Sequence, residues 1–587
     1  MSRVANGAAA PATSPRTATR SRWRRAARWA AWTLGALVIA WFAFAAWVER
    51  AGTYRPPALP ADHPALRLAV TTDADGVARC GAAWMRHDTG IGEIYVEGDG
   101  ITRAHALAAL ARDDMDAQEA QLFLELDRLL PGALRRYFVR KGVLFVFRDL
   151  QDHIDDTYEL ECAAMVPELE KSSPHPLAGA FPTFHRVLFY QTLYDTGQAM
   201  AEAGIVDAEI GCTSFAATGD ATASGRLLVA RNCDFEAGEV FDARKLVYFV
   251  APTEGSRYVC VSWAGMLGVV SGVNEHGLVV MLHAARTERT RRPRSGTPVP
   301  FLLRDALLHD RTIEEVAERF RRTPVHAAAI VLVAEGATGR SAVIETDPDR
   351  TVIVPAADDV VSAANTLRAP QWQDDAVVRA GRRAGISPLR LRRMEELVGA
   401  ARGRLDATAA GSILRDRAGV GGVEIGLGNR TAIGAFVAAH SVVYDAATGF
   451  LHVSRAPRGV GEFVTYDTNA FFRGSRPAGP ADVRAPGPAA IAEGEVAAAS
   501  RVAEGRRSLR RSADALADGD TALALEVALR AAELLDATPE AQLAVAEALT
   551  SAGRRDEARA AAVMGLARQP VPGPERVRLA ALAGAGD

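Results

Sequence analysis

Cysteine is scarce in this chain, with five in 587 residues at positions 80, 162, 212, 233 and 260, and no two are spaced as Cys-x-x-Cys. No zinc-type ligand spacing is therefore available. There are twelve histidines and no His-Glu-x-x-His, which removes the helix-borne metalloprotease motif. A Gly-x-Ser-x-Gly elbow is missing, and with it the usual serine-hydrolase signature. The glycine-rich stretch 419–428 is not followed by Lys-Ser or Lys-Thr, so it reads as a flexible turn and not a phosphate loop. Net charge is -3, too small to imply a general attraction to nucleic acid. Acidic residues are absent from the first 48 positions, which hold seven arginines; the first acid is Glu49.

That local imbalance flanks the longest apolar run. Residues 29–48 are uncharged and mostly apolar. As a helix they would reach about 30 Å, the thickness of bilayer hydrocarbon. Trp29, Trp32, Trp41 and Trp47 lie towards its ends, where interfacial anchors are expected. Arg22, Arg24, Arg25 and Arg28 precede it, so the positive-inside rule places the N-terminus in the cytoplasm and the bulk of the chain outside. The rival reading is a cleaved signal peptide, because Ala43-Phe44-Ala45 is an A-x-A site. Outside the cytoplasm, four cysteines besides Cys212 could form two disulfides; buried free thiols are the alternative, and the preferred one.

The chain exceeds one ordinary core, so several units are expected. Residues 1–28 read as a basic disordered tail, 29–48 as the anchor and 49–65 as a Pro-rich linker. Residues 66–211 begin the folded part, with a strand at 91–96 and helical periodicity at 102–112, 116–130 and 186–203. From 211 the pattern turns to short strands at 227–230, 246–251, 258–263, 268–273 and 278–283. Helices are expected at 301–309 and 312–322, strands at 330–334, 342–345 and 351–354, a helix at 388–400, and a hairpin of 441–444 with 450–454. Strand runs around a block of helices indicate an α+β layered sandwich. Residues 476–495 form a Pro/Ala linker. In 496–587, Gly519 and Gly553 stand 34 residues apart, the tetratricopeptide period, so a TPR-like helical tail is expected. An ordinary pair of helical hairpins would look the same.

The chemistry concentrates in Gly211-Cys212-Thr213-Ser214 and, further on, Arg231-Asn232-Cys233-Asp234. A cysteine that opens a strand after a glycine, with a guanidinium and a carboxylate on the next strand, fits a nucleophile that becomes an N-terminus by cutting Gly211–Cys212. A free α-amine has a pKa of about 7.7–8.0, which makes it a usable base beside its own thiol. A nearby arginine favours thiolate. Gly211 would tolerate the geometry of an N-to-S acyl shift.

Several further motifs fall in order: Gly-Val-Asn-Glu-His-Gly-Leu at 272–278, Ala-Asn-Thr at 364–366, Ser-x-x-Arg-x-x-Arg at 387–393 and His-Ser-Val-Val-Tyr-Asp at 440–445. With Cys-Thr-Ser at 212–214 and Arg-Asn-x-Asp at 231–234, residues 66–470 resemble the choloylglycine hydrolase and penicillin acyltransferase group of Ntn-hydrolases, closest to its self-processing acyltransferase/hydrolase branch. The resemblance implies a four-layer αββα sandwich. It implies Cys212 as nucleophile with its α-amine as base, Arg231 and Asp234 as its organisers, Asn365 near the oxyanion or the amine, and Arg390 facing the nucleophile from a late helix. The bile-salt branch has an asparagine where this chain has His283, so His283 becomes the oxyanion candidate. Asn274 reads as a turn residue and a second pocket candidate, and Thr213 and Ser214 as pocket lining. The long segment before Cys212 suits a partner chain retained after cleavage.

The expected activity is hydrolysis or transfer of an acyl group at a linear amide through a Cys212 thioester. No metal or organic cofactor is implied. The expected partners are a small acyl-amide or lipid substrate, the membrane through 29–48, and a protein through the helical tail. Two rivals remain: a lipid-ester or phospholipase-like hydrolase of the same fold, and a non-catalytic membrane scaffold. The arginines at 286–294 are either a solvated loop or a greeting for an anionic substrate.

Overall fold

The computed structural model describes residues 16–130, 132–171, 181–202, 211–290, 296–474, 476–485, 491–568 and 573–584. The eight residues before Gly211, part of the 286–294 arginine cluster and the first fifteen residues lie outside that description. The chain divides into two compact units.

The smaller unit comprises residues up to Tyr54 together with 133–149. It pairs a long helix, Arg16–Ala51, with a short one, Ala133–Val146. Within the long helix, Arg25–Ala51 is long and apolar enough to cross a membrane.

The larger unit is mixed α and β, built on two sheets. Eleven strands form the larger sheet, in the order Val70–Thr72, Ala78–Cys80, Ala83–Asp88, Ile91–Gly98, Lys245–Pro252, Tyr258–Trp263, Ser271–Asn274, Leu278–Ala284, Ala329–Glu335, Ser341–Asp347 and Arg350–Pro355. Every pairing is antiparallel except that of Ile91–Gly98 with Lys245–Pro252. The second sheet has six antiparallel strands: Val360–Ala364, Gly211–Ala217, Leu228–Asp234, Ala438–Asp445, Phe450–Ser454 and Phe463–Asp467. The two sheets pack face to face. Their shared core includes Trp84, Val247, Phe249, Met281, Leu332, Val442 and Tyr466, all buried. Helices Ser387–Ala400 and Ala407–Leu414 cover the outer face of the six-stranded sheet, with Met394, Val398 and Leu414 against Phe215, Ala217 and Ala230. Helices Val299–His309 and Ile313–Arg322 contact strands of the larger sheet. Because both faces of the central strands are covered, Leu278–Ala284 and Ala329–Glu335 are buried throughout and read as continuous apolar runs.

Several local differences from the sequence reading have physical causes. The two helices expected at 102–112 and 116–130 are one, Gly100–Leu129, with non-helical backbone at Ala111. The single helix expected at 186–203 is two, Thr183–Gln191 and Leu193–Glu202, broken at Thr192. The strand expected at 227–230 continues to Asp234, since its polar end is buried and paired on both sides. The expected linker at 476–495 is packed where it is described: Trp84 Nε1 donates to the Pro477 carbonyl, and Val483 is buried.

Among the described residues, five helices follow from Val496 to Ala583. Gly519 and Gly553 both adopt positive φ, 79° and 75°, and end the helices before them. Such a reversal is cheap only for glycine, so these are helical hairpins. The tail is fastened to the rest by Arg506, which donates to Glu236 Oε1 at 2.8 Å and to the Gly428 carbonyl at 2.9 Å.

Candidate active site

Strand register decides what faces what. Cys212 lies directly opposite Cys233, Ser214 opposite Arg231, and Gly211 opposite Asp234. Successive side chains alternate between faces. Cys212, Ser214, Arg231 and Cys233 therefore point into the space between the sheets, and His440, opposite Cys233 on the next strand, joins them. Thr213, Asn232 and Asp234 point to the helix layer instead. The expectation that Thr213 and Ser214 line one pocket thus separates: only Ser214 shares the face of Cys212.

Around Cys212 the groups converge from four elements. Its backbone N–H donates to Asn365 Oδ1 at 2.7 Å, just past the end of the strand Val360–Ala364. Arg231 Nη2 lies 3.3 Å from the Cys212 sulfur. The same guanidinium also donates to the Val270 and Leu282 carbonyls and to Ser271 Oγ, so it bridges the two sheets. From the helix Ser387–Ala400, Arg390 donates through Nη1 to Asp234 Oδ2 at 2.6 Å and through Nη2 to Asn365 Oδ1 at 3.0 Å. Ser387 steadies it at 3.3 Å. The Asn365 amide nitrogen is spent on the Ala284 carbonyl at 3.0 Å, so its oxygen faces the Cys212 nitrogen. Cys212, Arg231, Asp234, Asn365 and Arg390 are thus one hydrogen-bonded cluster.

Gly211 is needed here for space and not for an unusual backbone. It is an extended strand residue, and a Cβ on it would come 2.8 Å from Arg390 Nη1 and 2.9 Å from Asp234 Oδ2. Ordinary Cβ contacts do not reach so close, so any side chain at 211 must displace the ion pair.

Charge within the cluster is set by burial and neighbours. Burial pushes the Cys212 thiol up, but a hydrogen bond with the Cys233 thiol and the charges of Arg231 and Arg390 outweigh it, leaving it below the ordinary thiol range. Cys233 is pushed the other way, chiefly by that same hydrogen bond, and keeps its proton. Asp234 is raised to about 6 by burial, against the pull of Arg390. Its Oδ1 is buried with no hydrogen-bond partner. His283 and His440 are held neutral by burial and by the charge of Arg231. His283 Nε2 pairs with Ser214 Oγ at 2.8 Å, and its Nδ1 is buried without a partner. His440 Nε2 pairs with Ser271 Oγ at 2.8 Å.

Asn274 lies outside this cluster. Its amide nitrogen donates to the Leu307 and Asp310 carbonyls, and its oxygen accepts from the His276 and Leu278 nitrogens. All its polar capacity is used in closing the turn. Cys233, Ser271, Ser387 and His440 were not singled out as site residues in the sequence. The signal for Cys233 and His440 was present: once the strands at 211, 228 and 438 are aligned, alternation puts both on the face of Cys212. All five cysteines are buried free thiols.

A buried strand-borne thiol held below the ordinary thiol range thus lies beside a guanidinium and an amide oxygen that accepts from its own main-chain nitrogen. Residues 221–419 match the family model described as acyl-coenzyme A:6-aminopenicillanic acid acyl-transferase. The matched stretch starts downstream of Cys212 and takes in Arg231, Asp234, Asn365 and Arg390. The motif resemblance and the family model agree on the penicillin acyltransferase type. Among curated proteins, no sequence matches this chain. Solved structures with likeness include a Caenorhabditis elegans ortholog of N-acylethanolamine-hydrolyzing acid amidase, at 18% identity over 40% of this chain and 93% of that one, with a TM-score of 0.31. Two variants of conjugated bile acid hydrolase from Clostridium perfringens are 13% identical; they cover 45% and 43% of this chain and 95% and 96% of theirs, with TM-scores of 0.32 and 0.30. Likeness at this level carries no information on substrate.

Proposed function

We propose that the protein is a membrane-anchored, self-processing Ntn-hydrolase that cleaves or transfers an acyl group at a linear amide through a Cys212 thioester, with its catalytic part outside the cytoplasm. The observation that carries this reading is the Cys212–Asn365 contact. Asn365 holds the one nitrogen that would become the catalytic amine, while Arg231 holds the sulfur on the same residue.

In maturation, the Cys212 sulfur attacks the Gly211 carbonyl carbon. The peptide C–N bond breaks, its nitrogen takes up a proton, and a thioester joins Gly211 to the sulfur. Water hydrolyses that thioester, leaving a carboxylate on Gly211 and a free α-amine on Cys212. In turnover, this amine takes the thiol proton and the sulfur attacks the substrate's acyl carbon. The proton passes on to the departing amine. Water or an acceptor amine then releases the acyl group from sulfur. Asn365 positions the amine in both stages, and Arg390 positions Asn365 and Asp234. His283, neutral on the facing strand of the larger sheet and paired with Ser214, takes the oxyanion role that the motif comparison assigns to an asparagine.

The test is to offer the protein N-acyl amides of increasing chain length and quench early. The reading expects an acyl adduct on the peptide starting at Cys212, lost in alkaline hydroxylamine. No adduct on that peptide with any turned-over amide would overturn the thioester route. The apolar helix at Arg25–Ala51 favours a second reading, a lipid-ester hydrolase of the same machinery. Faster release from a lysophospholipid than from an N-acyl amino acid would select it.

A further inference from the structure

We propose that the helix Ala133–Val146 is a second membrane contact, lying in the bilayer interface beside the anchor helix on an anionic lipid surface. The proposal rests on the reading of Arg25–Ala51 as a membrane span.

The two helices form a compact unit of their own, although some eighty residues of the other unit separate them in the chain. Among the described residues, their ring and polar contacts fall in the C-terminal half of the span, from Trp41 onward. Trp41 packs on Phe138 with ring centroids 5.1 Å apart, Phe44 on Phe145 at 5.8 Å, and Trp47 on Phe145 at 6.2 Å. Lys141 Nζ donates to the Ala45 carbonyl, and Arg140 and Lys141 both pair with Glu49. Tyr54 donates to the Phe147 carbonyl at 2.8 Å. The short helix is therefore held at the level where the span leaves the membrane, opposite the end that carries the N-terminal arginines.

Its outer face does not suit water. Leu134 is 70% exposed, Phe138 47% and Phe145 40%. At 100° per residue these three fall within about 40° of each other, a single apolar stripe. The stripe continues through Phe145 onto exposed Phe44 and Trp47 of the span, which need lipid in any case. Exposed Arg135 borders the stripe. Residues 133–149 carry five basic side chains and one acid, Asp149. Aromatic and aliphatic residues on one face with arginines at its rim is the composition of a helix lying in the headgroup layer. Anionic lipid supplies the matching charge. A protein partner would have to fit between this stripe and the bilayer that the span already occupies.

The test uses the full chain in vesicles of phosphatidylcholine with phosphatidylglycerol. In a Cys212→Ala background, which removes the activated thiol, the four remaining native thiols are buried, so single introduced cysteines can carry a fluorophore: Leu134→Cys on the short helix, Leu37→Cys on the span, and Val577→Cys as a water-exposed reference in the tail. With nitroxide-bearing lipid, the proposal expects emission at 134 and 37 to fall about twofold or more while 577 is unchanged. Quenching at 37 but not at 134 would overturn the proposal and leave the anchor standing. Quenching at neither would overturn both. The basic rim further predicts deeper quenching at 134 with phosphatidylglycerol than in phosphatidylcholine alone; equal quenching would overturn the anionic preference.

Discussion

On the proposed reading Cys212 serves twice, first against its own chain and then against a substrate, and its neighbours suit both. The carbonyl it would first attack belongs to Gly211, which packs against the Arg390–Asp234 ion pair with no room for a Cβ. Gly211→Ala should therefore slow self-cleavage by about tenfold or more, the equivalent of ~1.4 kcal/mol of barrier, while the chain still folds. Time-resolved mass spectrometry reads this directly, and a wild-type rate would refute the steric role. On this reading Asp234 would give self-cleavage a pH dependence. With its carboxyl raised to about 6, it is ionised and paired to Arg390 above that pH and neutral below it. Self-cleavage should fall as pH is lowered through about 6, and Asp234→Asn should be slow at every pH. A flat wild-type profile across that range would contradict the assignment.

At the scale of elements, the site is an agreement between two strands and one helix. Gly211–Ala217 and Leu228–Asp234 put Cys212 and Arg231 on one face, and Ser387–Ala400 delivers Arg390 from the layer behind. The tail helix Val496–Ala517 reaches the same neighbourhood through Arg506, which pairs with Glu236 just beyond the strand that ends at Asp234. Burial raises the Glu236 carboxyl, but Arg506 and other arginines outweigh this and hold it ionised. Arg506→Ala should lower stability by about 1–3 kcal/mol through loss of a charged hydrogen-bond pair, read as a lower denaturant midpoint; an unchanged midpoint would mean that the tail contributes nothing there. Much of this element order was legible beforehand. Tyr258–Trp263 has the expected bounds, because an apolar, β-branched run between turn residues has few other solutions. The short strands Val70–Thr72 and Ala78–Cys80 carried no such signal, being brief and largely exposed or half-buried. The strand ending at Asp234 was read short because Arg231, Asn232 and Asp234 are polar, and hydropathy cannot tell a buried polar cluster from a turn. The identities of the site residues were legible as motifs. Their division between the two faces, which separates Thr213 from Cys212, emerges only from the register.

At the scale of the whole molecule, a cut at Gly211–Cys212 would divide the chain without dividing its larger sheet. The strands from Val70 to Gly98 lie in that sheet, and Ile91–Gly98 pairs along its length with Lys245–Pro252. Trp84, Ile91 and Tyr95 are buried in the core between the sheets. The two fragments should therefore co-elute on size exclusion under native conditions and part only in denaturant; separation in plain buffer would contradict this packing. The central claim, that Cys212 is released as an N-terminal nucleophile, is tested most directly by intact mass and N-terminal sequencing of the purified protein beside Cys212→Ala. The account predicts two wild-type fragments, the second beginning Cys-Thr-Ser-Phe, and one uncut chain in the variant. A single uncut wild-type chain would leave no free α-amine and no base for the reaction, and would favour the non-catalytic scaffold.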